Sequence, residues 1–147
     1  MSPKIVTPQD GCAWITGASS GIGAALAQEL ASRGWQVAIS ARRKADLTRI
    51  AKTHANITAF VCDVTDREAM AATAGKIEKK LGPIALGIMN AGIYLPTAFP
   101  EFDADIFDRT FAVNLTGTVN GIAALMPLMV ARQLGHMSLV SSVAGYG

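Results

Sequence analysis

Charge is scarce in this chain. Only 16% of the residues are charged, and 13 basic against 11 acidic side chains leave a net charge of +2. That is too little to suggest a nucleic-acid or membrane partner, and no long basic run concentrates it. Cysteine is equally sparse: two residues, Cys12 and Cys62, exclude a disulfide-stapled scaffold. They fall on the predicted first and third strands, about 10 Å apart with one strand between them, so a bridge is not expected. Both read as small core residues. The two histidines, His54 ending a helix and His136 before a strand, have no acidic neighbour, and neither reads as catalytic. No metal site is expected. No uninterrupted apolar run approaches the roughly 20 residues that cross a bilayer. Residues Met1 to Asp10 lack the basic flank, apolar core and cleavage site of a signal peptide. A cytoplasmic location is therefore the expectation. Repeats, low-complexity tracts and linkers are absent too, and no lysine follows Lys80.

What is present is half apolar, the reverse of a disordered composition. The 147 residues make one domain, long enough to bury roughly 68–70% of the surface its unfolded form exposes. Strand-like and helix-period segments alternate, which predicts an α/β fold with a parallel sheet. The organising stretch is Ala13-Trp-Ile-Thr-Gly17-Ala-Ser19-Ser20-Gly21-Ile22-Gly23-Ala-Ala-Leu26, an apolar strand running through a glycine turn into a helix. Such a unit opens a dinucleotide-binding sheet. Gly17 permits the tight turn, Gly21 lets backbone approach a pyrophosphate, and Gly23 lets the helix pack closely. The first helical amides, joined by the Ser19 and Ser20 hydroxyls, would face an anion.

Along the chain, strand 1 is placed at about Cys12–Thr16 and the first helix at Ile22–Arg33, stopped by Gly34. Strand 2 is Trp35–Ser40, followed by a helix over Lys44–Thr53 and strand 3 over Ile57–Cys62. The next helix spans Asp66–Leu81 with Thr65 as N-cap, and strand 4 is Ile84–Met89. Asn90–Glu101 reads as a loop beside the ligand site. Helices follow over Ala104–Val113 and Leu115–Leu134, the second expected to kink or break at Pro127, and strand 5 is His136–Ser141.

In an open parallel sheet, ligands sit past the carboxyl ends of the strands. Those ends carry Thr16, then Ala41-Arg42-Arg43, Asp63-Val64, Asn90-Ala91-Gly92 and Ser141-Ser142. Singly, each also fits a plain strand-end cap or turn. Together with Thr-Gly-x-x-x-Gly-x-Gly at the first turn, the set resembles the short-chain dehydrogenase/reductase family over nearly the whole chain from Cys12 onward. The resemblance implies a Rossmann-like doubly wound sheet in order 3-2-1-4-5 with helices on both faces, lacking the family's last strands. It also implies a nicotinamide nucleotide, NADP(H) preferred and NAD(H) still open. After strand 2 an acidic residue would bind the NAD ribose, whereas this chain offers Ala41, Arg42 and Arg43. Guanidinium groups suit a 2′-phosphate, with Arg42 in the discriminating position. The alternative for these arginines is a solvated helix start. By the same resemblance Asp63, followed by Val64, would hydrogen-bond the adenine amino group. Asn90-Ala91-Gly92 would hold the central sheet near the nicotinamide ribose, although Met89 precedes it where many members have another Asn.

Two catalytic residues are carried over in the same way. Asn114 would interrupt its helix so that its carbonyl holds a relay water, the alternative being a cap. Ser142 would orient a substrate carbonyl and stabilise the forming alkoxide. The family's Tyr, with a Lys four positions later, has no counterpart in these 147 residues, since Tyr146 stands too near Ser142 and no Lys follows it. The expectation is the cofactor-binding half of an oxidoreductase interconverting a carbonyl and an alcohol, with little or no activity by itself. The apolar strand 5 and its preceding helix expect further cover, from a longer gene product or a homo-oligomer; Met126, Met129 and Met137 would fill core or subunit interface. The rivals are a non-catalytic NADPH-binding scaffold and an S-adenosylmethionine-dependent methyltransferase, which usually wants an acidic residue where Ala41 and Arg42 stand.

Overall fold

Five parallel strands in order β3-β2-β1-β4-β5 form the sheet of the computed structural model, which describes residues 5–97 and 100–142. Strand β1 (Cys12–Thr16) lies in the centre with every residue buried, because it is covered on both faces and paired on both edges. It pairs with β2 (Val37–Ala41) from Ala13↔Val37 to Thr16↔Ser40, and with β4 (Ile84–Met89) on its other side. Strand β3 (Ile57–Val61) lies outside β2, and β5 (His136–Leu139) outside β4. The chain thus steps outward on one side of β1, then returns to start the other side.

Side-chain alternation divides the core in two. Ala13, Ile15, Val37 and Ile39 point to one face, where α1 (Gly21–Ser32) and α2 (Lys44–Ala51) add Ala24, Ala27, Leu47 and Ile50. Cys12, Trp14 and Ala38 point to the other, meeting Met70 and Ile77 of α3 (Arg67–Leu81) and Leu125 and Met129 of α5 (Gly117–Ala131). The buried Trp14 indole satisfies its N–H on Ser40 Oγ at 3.0 Å. At the amino end of β4, Glu78 accepts from Arg132 Nη1 at 2.7 Å and from Ile84 N at 3.0 Å, while Arg132 Nη2 donates to Ile84 O. These bonds clamp α3 and α5 to the sheet.

Several boundaries differ from the expectation, each for a local reason. Strand β2 starts at Val37 instead of Trp35, because Gly34 and Trp35 complete the cap of α1: Gly34 N donates to Ala31 O at 3.0 Å and Trp35 N to Leu30 O at 3.1 Å. Helix α2 ends at Ala51, and Thr53 instead donates its hydroxyl to Ile50 O at 2.8 Å. Thr65 does not cap α3. Its amide and hydroxyl both donate to Asp63 Oδ1, at 3.0 and 2.9 Å, and Asp66 takes the cap by accepting from Ala69 N at 2.9 Å.

The two expected helices after the loop form one continuous run. Helix α4 (Ala104–Phe111) passes through a π-helical segment (Ala112–Thr116) straight into α5. Pro127 does not end it; the bond its missing N–H forfeits belongs to Ala123 O, and both residues are exposed, where water can take that place. Because the run is unbroken, Ala104–Ala131 is long and apolar enough to cross a membrane, with an 18-residue window of mean hydropathy 1.4, which the separate segments did not suggest. The buried residues of α5 (Gly117, Asn120, Gly121, Leu125, Met129) are where it packs on α3 and β4, as a core helix does. Cys12 and Cys62 are free and buried.

Candidate functional site

All five strands point their carboxyl ends to one edge, and between β1 and β4 the order of the sheet reverses. Crevices in parallel sheets form at such a switch point. Here it opens a groove of about 270 Å³, lined by the first turn (Gly17, Ser19, Ser20), the end of β2 (Ala41, Arg42, Arg43), the end of β3 (Cys62, Asp63, Val64), and Ala91, Gly92, Ile93 and Val113.

The turn after β1 is shaped by two kinds of constraint. Gly17 has φ +68, and a Cβ there would stand 2.6 Å from Ala91 Cα. The missing side chain is what lets the β4 end pass. Gly21 also has positive φ, +56, with nothing within 4 Å of a built Cβ, so it serves conformation and leaves space in front of the helix. Gly23 is different: a Cβ would lie 2.5 Å from Asn90 Nδ2 and 2.8 Å from Gly17 O. Its absence lets α1 close onto its own turn. Ile22 is exposed at the helix start.

Ser20 occupies the N-cap of α1, yet its side chain makes no cap bond and no acidic residue stands in the first turn. The leading amides of α1 are left without a side-chain partner there. The serines are turned to β2 instead: Arg43 Nη2 donates to Ser19 Oγ at 3.1 Å and to Ser20 Oγ at 3.4 Å, while its Nε pairs with Asp46 Oδ2 at 2.9 Å. Arg43 thus spans the groove mouth. Arg42 lines the groove and is exposed, with no hydrogen bond or ion pair to its side chain among the described residues.

The wall at β4 is held by Thr16. Its buried hydroxyl accepts from Asn90 N and Ala91 N, each at 3.1 Å, and Asn90 Nδ2 donates back to Thr16 O at 3.1 Å and Gly17 O at 3.3 Å. Asn90 therefore ties β1 to β4 and does not line the groove. Asn114 sits in the π-helical segment and pairs with one residue twice: Nδ2 donates to Ile93 O at 2.9 Å and Oδ1 accepts from Ile93 N at 2.8 Å. Its own carbonyl accepts the Thr118 hydroxyl at 2.8 Å. The side chain fixes the loop after Gly92, and the extra residue of the π turn marks where α4 and α5 meet.

Ser142 is exposed past the carboxyl end of β5, two strands from β1, and is not part of the groove lining. Residues 143–147, Tyr146 among them, lie outside the described residues. His54 pairs with Thr53 Oγ1 at 3.0 Å on the far side of α2, and His136 is exposed at the start of β5. Among the described residues no group of three or more His, Cys, Asp or Glu is placed to hold a metal. Burial pushes the Cys62 thiol up from its ordinary pKa, and pushes Cys12 up from 9.0 to about 11.

Cys62, Ile93 and Val113 were not singled out as site residues by the sequence, although all line the groove. The first stands at a strand end and the others beside named motifs, so position alone could have found them. Thr16 and Asn120 hold the site from behind. Nothing in the spacing of Asn120 marks it.

Comparison with known proteins places this architecture. The short chain dehydrogenase family profile matches residues 11–147, and the chain belongs to that family. It is 33% identical over 147 residues to an uncharacterized oxidoreductase of Staphylococcus saprophyticus, covering 97% of this chain and 63% of that protein. It is 31% identical over 140 residues to dehydrogenase/reductase SDR family member 7 of Mus musculus, covering 90% of this chain and 41% of the other. Among solved structures, a short-chain dehydrogenase from Streptomyces avermitilis superposes with a TM-score of 0.83 at 30% identity, over 91% of this chain and 50% of that one. The chain thus spans between about two fifths and two thirds of the length of these relatives.

Proposed function

We propose that this chain is the cofactor-binding part of an NADP(H)-preferring oxidoreductase that interconverts a carbonyl and an alcohol. The observation that carries it is the pairing of a glycine turn, open at Gly21, with Arg42 and Arg43 on the facing strand end and no carboxylate at Ala41. The donor set suits a nucleotide with an extra phosphate. Gly21 leaves the space in front of α1 open while Gly17 and Gly23 let its walls close; the α1 amides would face the diphosphate together with the Ser19 and Ser20 hydroxyls, which accept from Arg43 and keep their own protons to donate, and the two guanidinium groups would hold the 2′-phosphate. Asp63 accepts from the adenine amino group with the oxygen that Thr65 leaves unused. Backbone at Ala91 and Gly92 borders the ribose on the nicotinamide side.

When bound, the nicotinamide supplies or takes up a hydride. The chain's own part in that chemistry is positional: Asn114 fixes the backbone at Ile93, and Ser142 would orient the substrate oxygen. The only tyrosines, Tyr94 and Tyr146, do not stand four positions before a lysine. These 147 residues by themselves are therefore expected to bind cofactor with little or no turnover, since a positioned acid contributes roughly 10²–10⁴ in rate. In this reading the protein works on a small molecule in the cytoplasm as a homo-oligomer, with neither a nucleic acid nor a membrane as partner.

Calorimetric titration with NADPH and NADH tests the reading. Heat with both and tighter binding of NADPH is the expected result, and no heat with either sinks it. A steady-state rate with NADPH and a carbonyl panel comparable to that of ordinary reductases would remove the inactivity of the isolated chain.

A further inference from the structure

Asn120 is 1% exposed on α5, a helix that contributes nothing to the groove lining, and both ends of its amide are engaged. Its Oδ1 accepts from Arg67 Nε at 3.0 Å, and its Nδ2 donates to Val64 O at 2.9 Å. That carbonyl belongs to the peptide unit between Val64 and Thr65. The N–H of the same unit donates to Asp63 Oδ1 at 3.0 Å, beside the Thr65 hydroxyl at 2.9 Å. A peptide is planar and stiff, so an amide holding its oxygen also sets the direction of its N–H. Arg67, Asn120, the Val64–Thr65 peptide and the Asp63 carboxylate form one directional series. One turn earlier, Gly117 lets the Val64 side chain press onto the helix, since a Cβ there would stand 2.6 Å from Val64 Cγ2.

We infer that Asn120, supported by Arg67, is a positioning residue for nucleotide base selection: it acts through the Val64–Thr65 peptide to aim the Asp63 carboxylate into the groove at a 6-amino purine. The inference rests on the cofactor reading above. It differs from a mere packing role because a buried amide bonded only for stability would leave base preference untouched.

The experiment titrates the 147-residue chain with NADPH and with its deamino analogue, in which a carbonyl oxygen replaces the adenine amino group. In the wild type Asp63 accepts from the amino group but faces another acceptor in the analogue, so NADPH is favoured by about tenfold or more. Asn120→Leu removes the donor to Val64 O and is expected to bring that ratio down to about twofold. Arg67→Met, at an exposed position, keeps the Val64 bond but leaves Asn120 Oδ1 without its Arg67 donor and so frees the amide to turn. It is expected to narrow the ratio to an intermediate value, and decides the matter alone should Asn120→Leu fail to fold. A ratio that stays at the wild-type value in the variants, with or without a parallel loss of affinity for both nucleotides, overturns the inference. So does a wild type that binds both nucleotides equally. A wild type that binds neither nucleotide refutes the cofactor reading itself, a distinct outcome.

Discussion

Replacing Gly23 by alanine tests the link between the tight first turn and nucleotide binding. The new methyl would lie 2.5 Å from Asn90 Nδ2, 2.8 Å from Gly17 O and 3.0 Å from Ala18 Cα, so something must move. If Asn90 swings away, its amide abandons Thr16 O and Gly17 O, at 3.1 and 3.3 Å, and a half-buried donor is left unpaired at about 1–3 kcal/mol. If α1 retreats instead, the overpacking costs a similar 1–3 kcal/mol. The better helix propensity of alanine returns up to about 1 kcal/mol, less near a helix start. The net loss is about 0.5–2.5 kcal/mol, which for a chain of this size lowers the melting temperature by roughly 1–10 °C. Either movement also displaces the backbone that would face a diphosphate, and NADPH affinity is expected to fall by about tenfold or more. Gly75→Ala is the control. That glycine lies in α3 with open space where its Cβ would go, so alanine is expected to stabilise by about 0.5–1 kcal/mol and leave binding unchanged. Thermal unfolding followed by circular dichroism, with NADPH titrated by fluorescence, reads all of this. If Gly23→Ala melts and binds like wild type, the close-packing argument is wrong.

Arg42→Ala and Arg43→Ala are each expected to erode the preference for NADPH over NADH, by roughly 10–150-fold if one charge-assisted bond of about 1.5–3 kcal/mol is lost. Arg42, in the discriminating position, should matter more, because its guanidinium has no partner among the described residues whereas Arg43 is already held by Asp46, Ser19 and Ser20; an NADPH-to-NADH affinity ratio that neither substitution moves would refute a 2′-phosphate role. Alkaline pH probes Cys12, whose thiol burial raises from 9.0 to about 11. The folded state holds that proton more tightly than the unfolded chain, so the stabilisation is complete below about pH 9 and is lost on rising to pH 11, amounting to about 2–3 kcal/mol. Urea unfolding at pH 8 and at pH 10.5 should show a smaller drop for Cys12→Ala than for wild type, and equal drops would contradict the burial argument.

The order of the sheet was legible because its signals are local and redundant. Each strand is a short apolar run ending in polar or small residues, and three glycines at one spacing mark where the first strand turns. Choices between neighbours were not legible. Thr65 and Asp66 are both good caps, and what separates them is that Asp63 captures the Thr65 hydroxyl and amide. The strongest breaker in the sequence, Pro127, leaves its helix running, whereas the irregular turn falls at Asn114, where the side chain pairs with Ile93 from another segment.

The same distinction explains why the support of the groove was legible only in part, with Thr16, Asn90 and Asn114 marked by strand end or motif and Asn120 by nothing. Thr16, Asn90, Asn114 and Asn120 each spend their polar atoms on backbone remote in sequence: Thr16 on Asn90 and Ala91, Asn90 on Thr16 and Gly17, Asn114 on Ile93, Asn120 on Val64. Leaving any of these unpaired where it is buried costs about 1–3 kcal/mol, so each bond ties the end of one strand to a particular partner. Spacing within a segment cannot report such a bond, because its second half is supplied only when the sheet assembles. A site at the carboxyl edge of a parallel sheet is built from many strand ends at once, so its liganding residues follow from strand position while its rigidity follows from these cross-segment amides. Substitutions in the second set should therefore alter how well the groove discriminates between ligands before they alter whether it exists.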